Sequence, residues 1–131
     1  MSAITRRLLL WIGLITAVRL VFAALMPLTD DEAYYRLWSQ HLALGYFDHP
    51  PFVAWAIGLG TSLLGDNGLG VRLSAVLASG ATSLVLFDLA KRLGLAPVTA
   101  ERAALWYSAT LMIAVGAILS TPDAFATLFW A

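Results

Sequence analysis

The reading of this chain turns on Leu28–Tyr35, LTDDEAYY. Three consecutive carboxylates, Asp30, Asp31 and Glu32, follow an apolar run from Leu8 to Leu28 that carries a single charge, Arg19. A run of about twenty such residues crosses a bilayer core of about 30 Å as a helix. The acids then stand where the chain leaves hydrocarbon for water. Thr29 and Glu32 have the Thr-x-x-Glu spacing of a capping box, so a second helix begins there. Acids in a first helical turn are stabilised by the helix dipole, by about 0.3–1 kcal/mol each. The same acids face the boundary where a lipid-borne substrate and a water-borne partner would meet, and a carboxylate there can serve as a general base.

Composition agrees with a membrane chain. The 131 residues are 60% hydrophobic and 12% charged, against about 45–50% and about 25% in soluble domains. A formal net charge of zero leaves no electrostatic footprint for nucleic acid. The absence of cysteine excludes a disulfide framework and a thiolate metal site. Arg6 and Arg7 precede the first span and place the N-terminus on the cytoplasmic side. A cleaved signal peptide fits less well, because Arg19 interrupts the apolar centre and no Ala-x-Ala site follows. The sequence stops inside a rising apolar run, FATLFWA, as expected of a piece of a longer protein.

Spans are predicted at about 8–28, 69–90 and 103–121, with a fourth starting from 124 and an outer loop over 29–68 that carries juxtamembrane helices. Within that loop, Pro50 to Gly65 would reach only about 24 Å as a helix at 1.5 Å per residue. It reads as interfacial or re-entrant. If it does not cross, Lys91 and Arg92 return to the cytoplasm, as the positive-inside rule wants. Asp123 then emerges beside Asp30, Asp31, Asp48 and His49. A crossing there would put Asp123 on the opposite side. Thr29 to Leu44 is expected to be amphipathic, with Tyr34, Trp38 and Leu42 on one face and Gly45 as the stop. GDNGLG at 65–70 reads as a turn.

Further candidates lie beyond the first acids. In GYFDHPPF, 45–52, the two prolines stiffen the backbone and bias His49 away from helix. They present Asp48 and His49 as an oxygen–nitrogen pair suited to a divalent cation or a phosphate, although a metal site needs more ligands. Arg72 opens the second span, where it can anchor headgroups or grip a lipid phosphate bidentately. Arg19 calls for a partner inside a helix bundle, such as an acid beyond Ala131. Asp123 follows Pro122 and starts a helix. His41 is expected to be solvated.

Taken in order, TDDEAYYRLWSQHLALGYFDHPPFVAW (29–55), GLGVRLSAVL (68–77) and STPDAFATLFW (120–130) resemble the N-terminal part of family 39-like glycosyltransferases. These are membrane enzymes of the GT-C fold, related to protein O-mannosyltransferases and to lipid A aminoarabinose transferases. The resemblance implies an all-α integral membrane protein, a GT-C-like transmembrane helix bundle. It implies a multi-pass place in the bacterial inner (plasma) membrane, with the active site facing the periplasm or exterior. It implies transfer of a sugar, with inversion, from a polyprenyl-phosphate donor to a hydroxyl acceptor. Membrane lipids and the remainder of the same polypeptide would be the other partners. Asp31 matches the proposed base, followed by Glu32, with Asp30 as an extra neighbour. Asp48 matches a position that binds a divalent metal in some relatives. His49 stands where some relatives have a phosphate-contacting Lys. Asp123 matches a later acid. The alternative is a membrane scaffold or transporter piece without chemistry, with these acids as surface charges or ion-pathway residues; acids pointing apart into solvent would favour it.

Overall fold

The computed structural model describes residues 2–131, and those residues are all-helical. Helix α1 (Ala3–Leu25) begins at Ser2, whose hydroxyl accepts from the Thr5 N–H, and gives way to extended backbone at Met26, just before Pro27. Helix α4 (Gly68–Arg92) is its long partner. Among the described residues, these two are long and apolar enough to cross a membrane. They lie antiparallel. Leu8 and Ile12 pack with Phe87 and Ala90 at one end. The Thr16 hydroxyl lies over Gly80 in the middle. Ala23 and Met26 meet Arg72 at the other end.

Helix α5 (Pro97–Ala109) closes the first of these ends. Ala100 and Ala104 join the Leu8–Phe87 cluster, and Arg7 forms an ion pair with the buried Glu101, its Nε 2.6 Å from Oε1. Arg6, Arg7, Lys91, Arg92 and Arg102 therefore gather at one end of the bundle. The opposite end receives α2 (Asp30–Ser39), α3 (Phe52–Leu64) and α7 (Pro122–Trp130). Their shared core joins Tyr35 and Trp38 of α2, Ile57 of α3, Val71 and Ala75 of α4, and Phe125 of α7.

Helices α3 and α4 form a tight hairpin. Gly65 turns the chain at φ +84°, and the Asn67 side chain caps α4 by accepting from the Gly70 N–H at 3.0 Å. The Ser74 hydroxyl donates to the Ala56 carbonyl at 2.7 Å. The backbones nearly touch: a Cβ on Gly60 would lie 2.2 Å from the Gly70 carbonyl oxygen, and one on Gly70 would lie 2.2 Å from that of Gly65. GDNGLG is thus a turn, as expected, with glycines that admit close helix packing. Helix α3 then runs along the first half of α4.

Two expected elements differ. The predicted span 103–121 is not one helix. Helix α5 ends at Ala109, Thr110 is extended at φ −60°, ψ 139°, and α6 (Leu111–Gly116) follows as a short separate piece. Carbonyls on both sides of the break, Ser108 and Ile113, accept hydrogen bonds from Arg19. The predicted helix 29–44 stops at Ser39, short of Gly45. Tyr46 folds back instead, its ring stacked on Trp38 at 4.3 Å. Its hydroxyl lies 3.0 Å from both the Trp38 and the His41 carbonyls, which satisfies the helix end early. The buried face is Glu32, Tyr35 and Trp38, whereas Tyr34 and Leu42 are exposed.

Gly70→Ala is expected to lower the stability of the detergent-solubilised protein by about 1–3 kcal/mol, the range for overpacking. Gly13→Ala, with open space around its Cβ, should be neutral or slightly stabilising. Thermal unfolding of both variants checks this; equal midpoints would contradict the close hairpin.

Candidate active site

The site is built around one buried ion pair. Glu32 has no exposed surface and Arg72 is 1% exposed. The pair is bidentate: Arg72 Nε donates to Glu32 Oε1 at 2.7 Å, and Nη2 donates to Oε2 at 2.6 Å. The other guanidinium hydrogens reach the end of α1 and the segment after it, at the carbonyls of Ala23 (3.1 Å), Met26 (2.9 Å) and Pro27 (2.8 Å). Glu32 also accepts from the Thr29 N–H at 3.0 Å, completing the capping box, and from the Ser120 N–H at 3.1 Å. One carboxylate and one guanidinium thus tie together α1, α2, α4 and the segment entering α7.

This corrects two expectations. Arg72 has five N–H groups, and all are spent inside the protein, so it has none to offer a substrate phosphate. Glu32 is not open to a substrate either. Burial alone would push its carboxyl up, but the hydrogen bonds from Arg72, Thr29 and Ser120, together with the Arg72 charge, outweigh burial and hold it below the usual carboxylate range. Both residues position the site rather than line it.

The other candidate acids, Asp30, Asp31, Asp48 and Asp123, are exposed. Asp31 follows the first helical residue of α2, and its side chain makes no hydrogen bond among the described residues. Asp48 stands in the loop after α2, and Asp123 stands in the first turn of α7. Tyr35, one helical turn beyond Asp31, is 6% exposed. Burial pushes its phenol up, and the nearby negative charges of Asp31, Asp48 and Asp123 push it further. Three acids from three separate segments therefore lie close enough for their charges to reach one phenol. Asp30 is the first residue of α2. His41 is exposed, as expected.

His49 is half-buried, with its ring edge against Tyr35 at 5.6 Å between centroids. Its Nδ1 lies 3.3 Å from Asp48 Oδ1 without forming a hydrogen bond. A cation at Asp48 would have this one imidazole as company. Among the described residues, no group of three or more His, Asp or Glu side chains is placed to hold a metal ion. Asp48 and His49 are the side chains of this segment that could contact the divalent cation expected there, and no chemical step is assigned to one. Sequence reasoning missed Tyr35 and Ser120. Tyr35 was legible in principle, lying three residues after Glu32 on the same helical face; nothing local marks Ser120.

Arg72→Met should destabilise the protein by about 3–5 kcal/mol, because it strands a buried carboxylate. The pH dependence has a definite sign. Glu32 is depressed in the folded state, so its contribution is complete above the ordinary carboxylate range and is lost as pH falls through and below it. The thermal midpoint of the wild type should drop on acidification below about pH 4.5. Glu32→Gln should show a lower midpoint at pH 7 and a flatter acid limb. An equally steep limb in Glu32→Gln would assign the acid sensitivity elsewhere.

The chain is 48% identical over 63 residues to a lipid A galacturonosyltransferase of Rhizobium johnstonii, covering 47% of this chain and 13% of that protein. It is 33% identical over 122 residues to an undecaprenyl phosphate-alpha-4-amino-4-deoxy-L-arabinose arabinosyl transferase of Pseudomonas paraeruginosa, covering 79% of this chain and 22% of that protein. A protein of the same description from Edwardsiella ictaluri is 39% identical over 72 residues, covering 55% of this chain and 13% of that protein. The chain thus spans roughly a fifth or less of the length of these relatives. No solved structure matches it. The family described as dolichyl-phosphate-mannose-protein mannosyltransferase matches residues 48–131, from the Asp48 loop through α7. With that match over more than half its residues, the chain belongs to the dolichyl-phosphate-mannose-protein mannosyltransferase family of membrane glycosyltransferases.

Proposed function

We propose that the chain supplies the acidic part of the active site of a glycosyltransferase that moves a sugar from a polyprenyl-phosphate donor to a hydroxyl acceptor. The observation that carries this reading is the placement of three acids near Tyr35, at the end of the bundle opposite the basic residues: Asp31 one helical turn before it, Asp48 beside the His49 ring that meets it, and Asp123 two residues before Phe125 of the same core. A scaffold without chemistry has no need to bring three acids from distant segments near one another, and the family match favours transfer over an ion pathway. The names of the relatives support the general kind of donor and a lipid acceptor.

Asp31 is assigned as the general base. It is exposed and free of internal hydrogen bonds, so its lone pairs are available to an incoming hydroxyl. As the acceptor oxygen attacks the anomeric carbon, its proton passes to Asp31. The bond from that carbon to the phosphate oxygen breaks, and the configuration inverts. The electron pair leaves with the polyprenyl phosphate. His49 is the chain's candidate for contacting that phosphate, since Arg72 is fully engaged. Asp123 is assigned to hold sugar or acceptor hydroxyls. The basic end, with Arg6, Arg7, Lys91 and Arg92, is placed in the cytoplasm by the positive-inside rule. The acids then face the periplasm or exterior of a bacterial inner membrane.

Asp31→Asn in the full-length protein should reduce transfer by at least about 10²-fold, the lower end of what a general base supplies. Its folded yield should be unchanged, because nothing in the fold leans on that carboxylate. Release of the carrier from a radiolabelled polyprenyl-phosphate sugar, measured in membranes, checks this. Near-normal release would remove Asp31 from the chemistry.

A further inference from the structure

Arg19 lies within α1, six residues before its end at Leu25. At 1.5 Å per residue it sits about 9 Å inside the helix end, and it is 4% exposed. Its polar partners are neutral. Nη1 donates to Ser79 Oγ at 2.9 Å, and Nη2 donates to the carbonyls of Ser108 (3.2 Å) and Ile113 (3.1 Å). Among the described residues no carboxylate pairs with it. A full positive charge inside a membrane span costs several kcal/mol unless it is paired. Dipoles alone leave that charge uncompensated.

The side of the bundle where Arg19 sits is unfinished. Arg19 lines a groove with about 420 Å³ of open space between α1 and the broken α5–α6 pair. Leu14, Val18 and Phe22 form one wall at helical spacing, and Ala114 and Ile118 stand on the other. The α1 wall is an exposed apolar stripe with one buried cation at its base.

We propose that this groove receives a further apolar membrane helix of the full-length polypeptide, and that this helix carries one carboxylate that neutralises Arg19. Charge complementarity fixes the chemistry, since an apolar helix with an acid satisfies both the stripe and the cation. The relatives, of which this chain covers about a fifth or less, have ample further length from which such a helix could come. A lipid phosphate fits less well. It would have to leave the headgroup level and descend about 9 Å into hydrocarbon, whereas a helix delivers its carboxylate at that depth. The inference is independent of any chemistry at Asp31.

The test uses the full-length protein in its native membrane. A photo-crosslinking amino acid replaces Val18, which lies one residue from Arg19 and leaves the arginine intact. Irradiation is expected to give an internal adduct to an apolar segment that contains Asp or Glu, mapped by mass spectrometry. Arg19→Glu alone should then lower the folded yield at least tenfold, and exchanging the mapped acid for Arg in the same chain should restore it to within about twofold. Adducts to lipid only, to a second copy, to another protein or to a segment without a carboxylate would overturn the proposal. So would an unaffected yield in Arg19→Glu, or no rescue by the exchange.

Discussion

The bidentate contact between Glu32 and Arg72 is the constraint on which the acidic end of this protein depends. In a chain so poor in charge, a fully buried ion pair is costly to desolvate. What it gives in return is position. Its hydrogen bonds reach the end of α1, the start of α2 and the residue before Thr121, while Arg72 itself belongs to α4. Apolar packing alone leaves such segments free to slide, because it is non-directional. A planar guanidinium with every donor occupied does not slide.

The same pair explains how neighbouring acids come to do different work. Successive residues on a helix differ in direction by about 100° at 3.6 residues per turn. Turning Glu32 inward to Arg72 therefore points Asp31 away and leaves it exposed. Tyr35 and Trp38 follow Glu32 into the core at spacings of three. Without the ion pair, the hydrophobic spacing of Tyr34, Trp38 and Leu42 would have been the natural face to bury. The buried charge overrides that pattern by one residue, and the early end of α2 under Tyr46 removes Leu42 from the helix altogether.

What could be read from the sequence was local. The capping box, the apolar runs that become α1 and α4, and the GDNGLG turn each lie within a window of a few residues or one periodic stretch. What could not be read joins residues far apart. Arg72 meets Glu32 across 40 positions, and Ser120 meets it across 88. The break between α5 and α6 follows the same rule. Nothing from Ala103 to Thr121 carries a charge or a proline, so the stretch reads as one span, and the cation whose hydrogen bonds flank the break lies 89 and 94 positions away. That Asp31, Asp48 and Asp123 lie at one end of the bundle was open to sequence reasoning only through topology, as the arrangement expected if α3 does not cross.

Arg72 shows how a carboxylate comes to be bound in such a protein, and the proposed reaction calls for a free one beside it. Arg72 stands at the boundary and fixes an acid whose lone pairs are all occupied. That acid is a weak base, since each hydrogen bond it accepts stabilises the ionised form it would have to give up. A group that must take a proton from a hydroxyl needs the opposite condition, open lone pairs and room for a partner. Placing the two kinds of acid next to each other in sequence, on a helix whose rotation is locked by the buried member, lets rigidity and availability coexist within one turn. Removing the buried carboxylate would thus disturb the exposed one without touching it, because the direction in which Asp31 points is set by the bond that Glu32 makes.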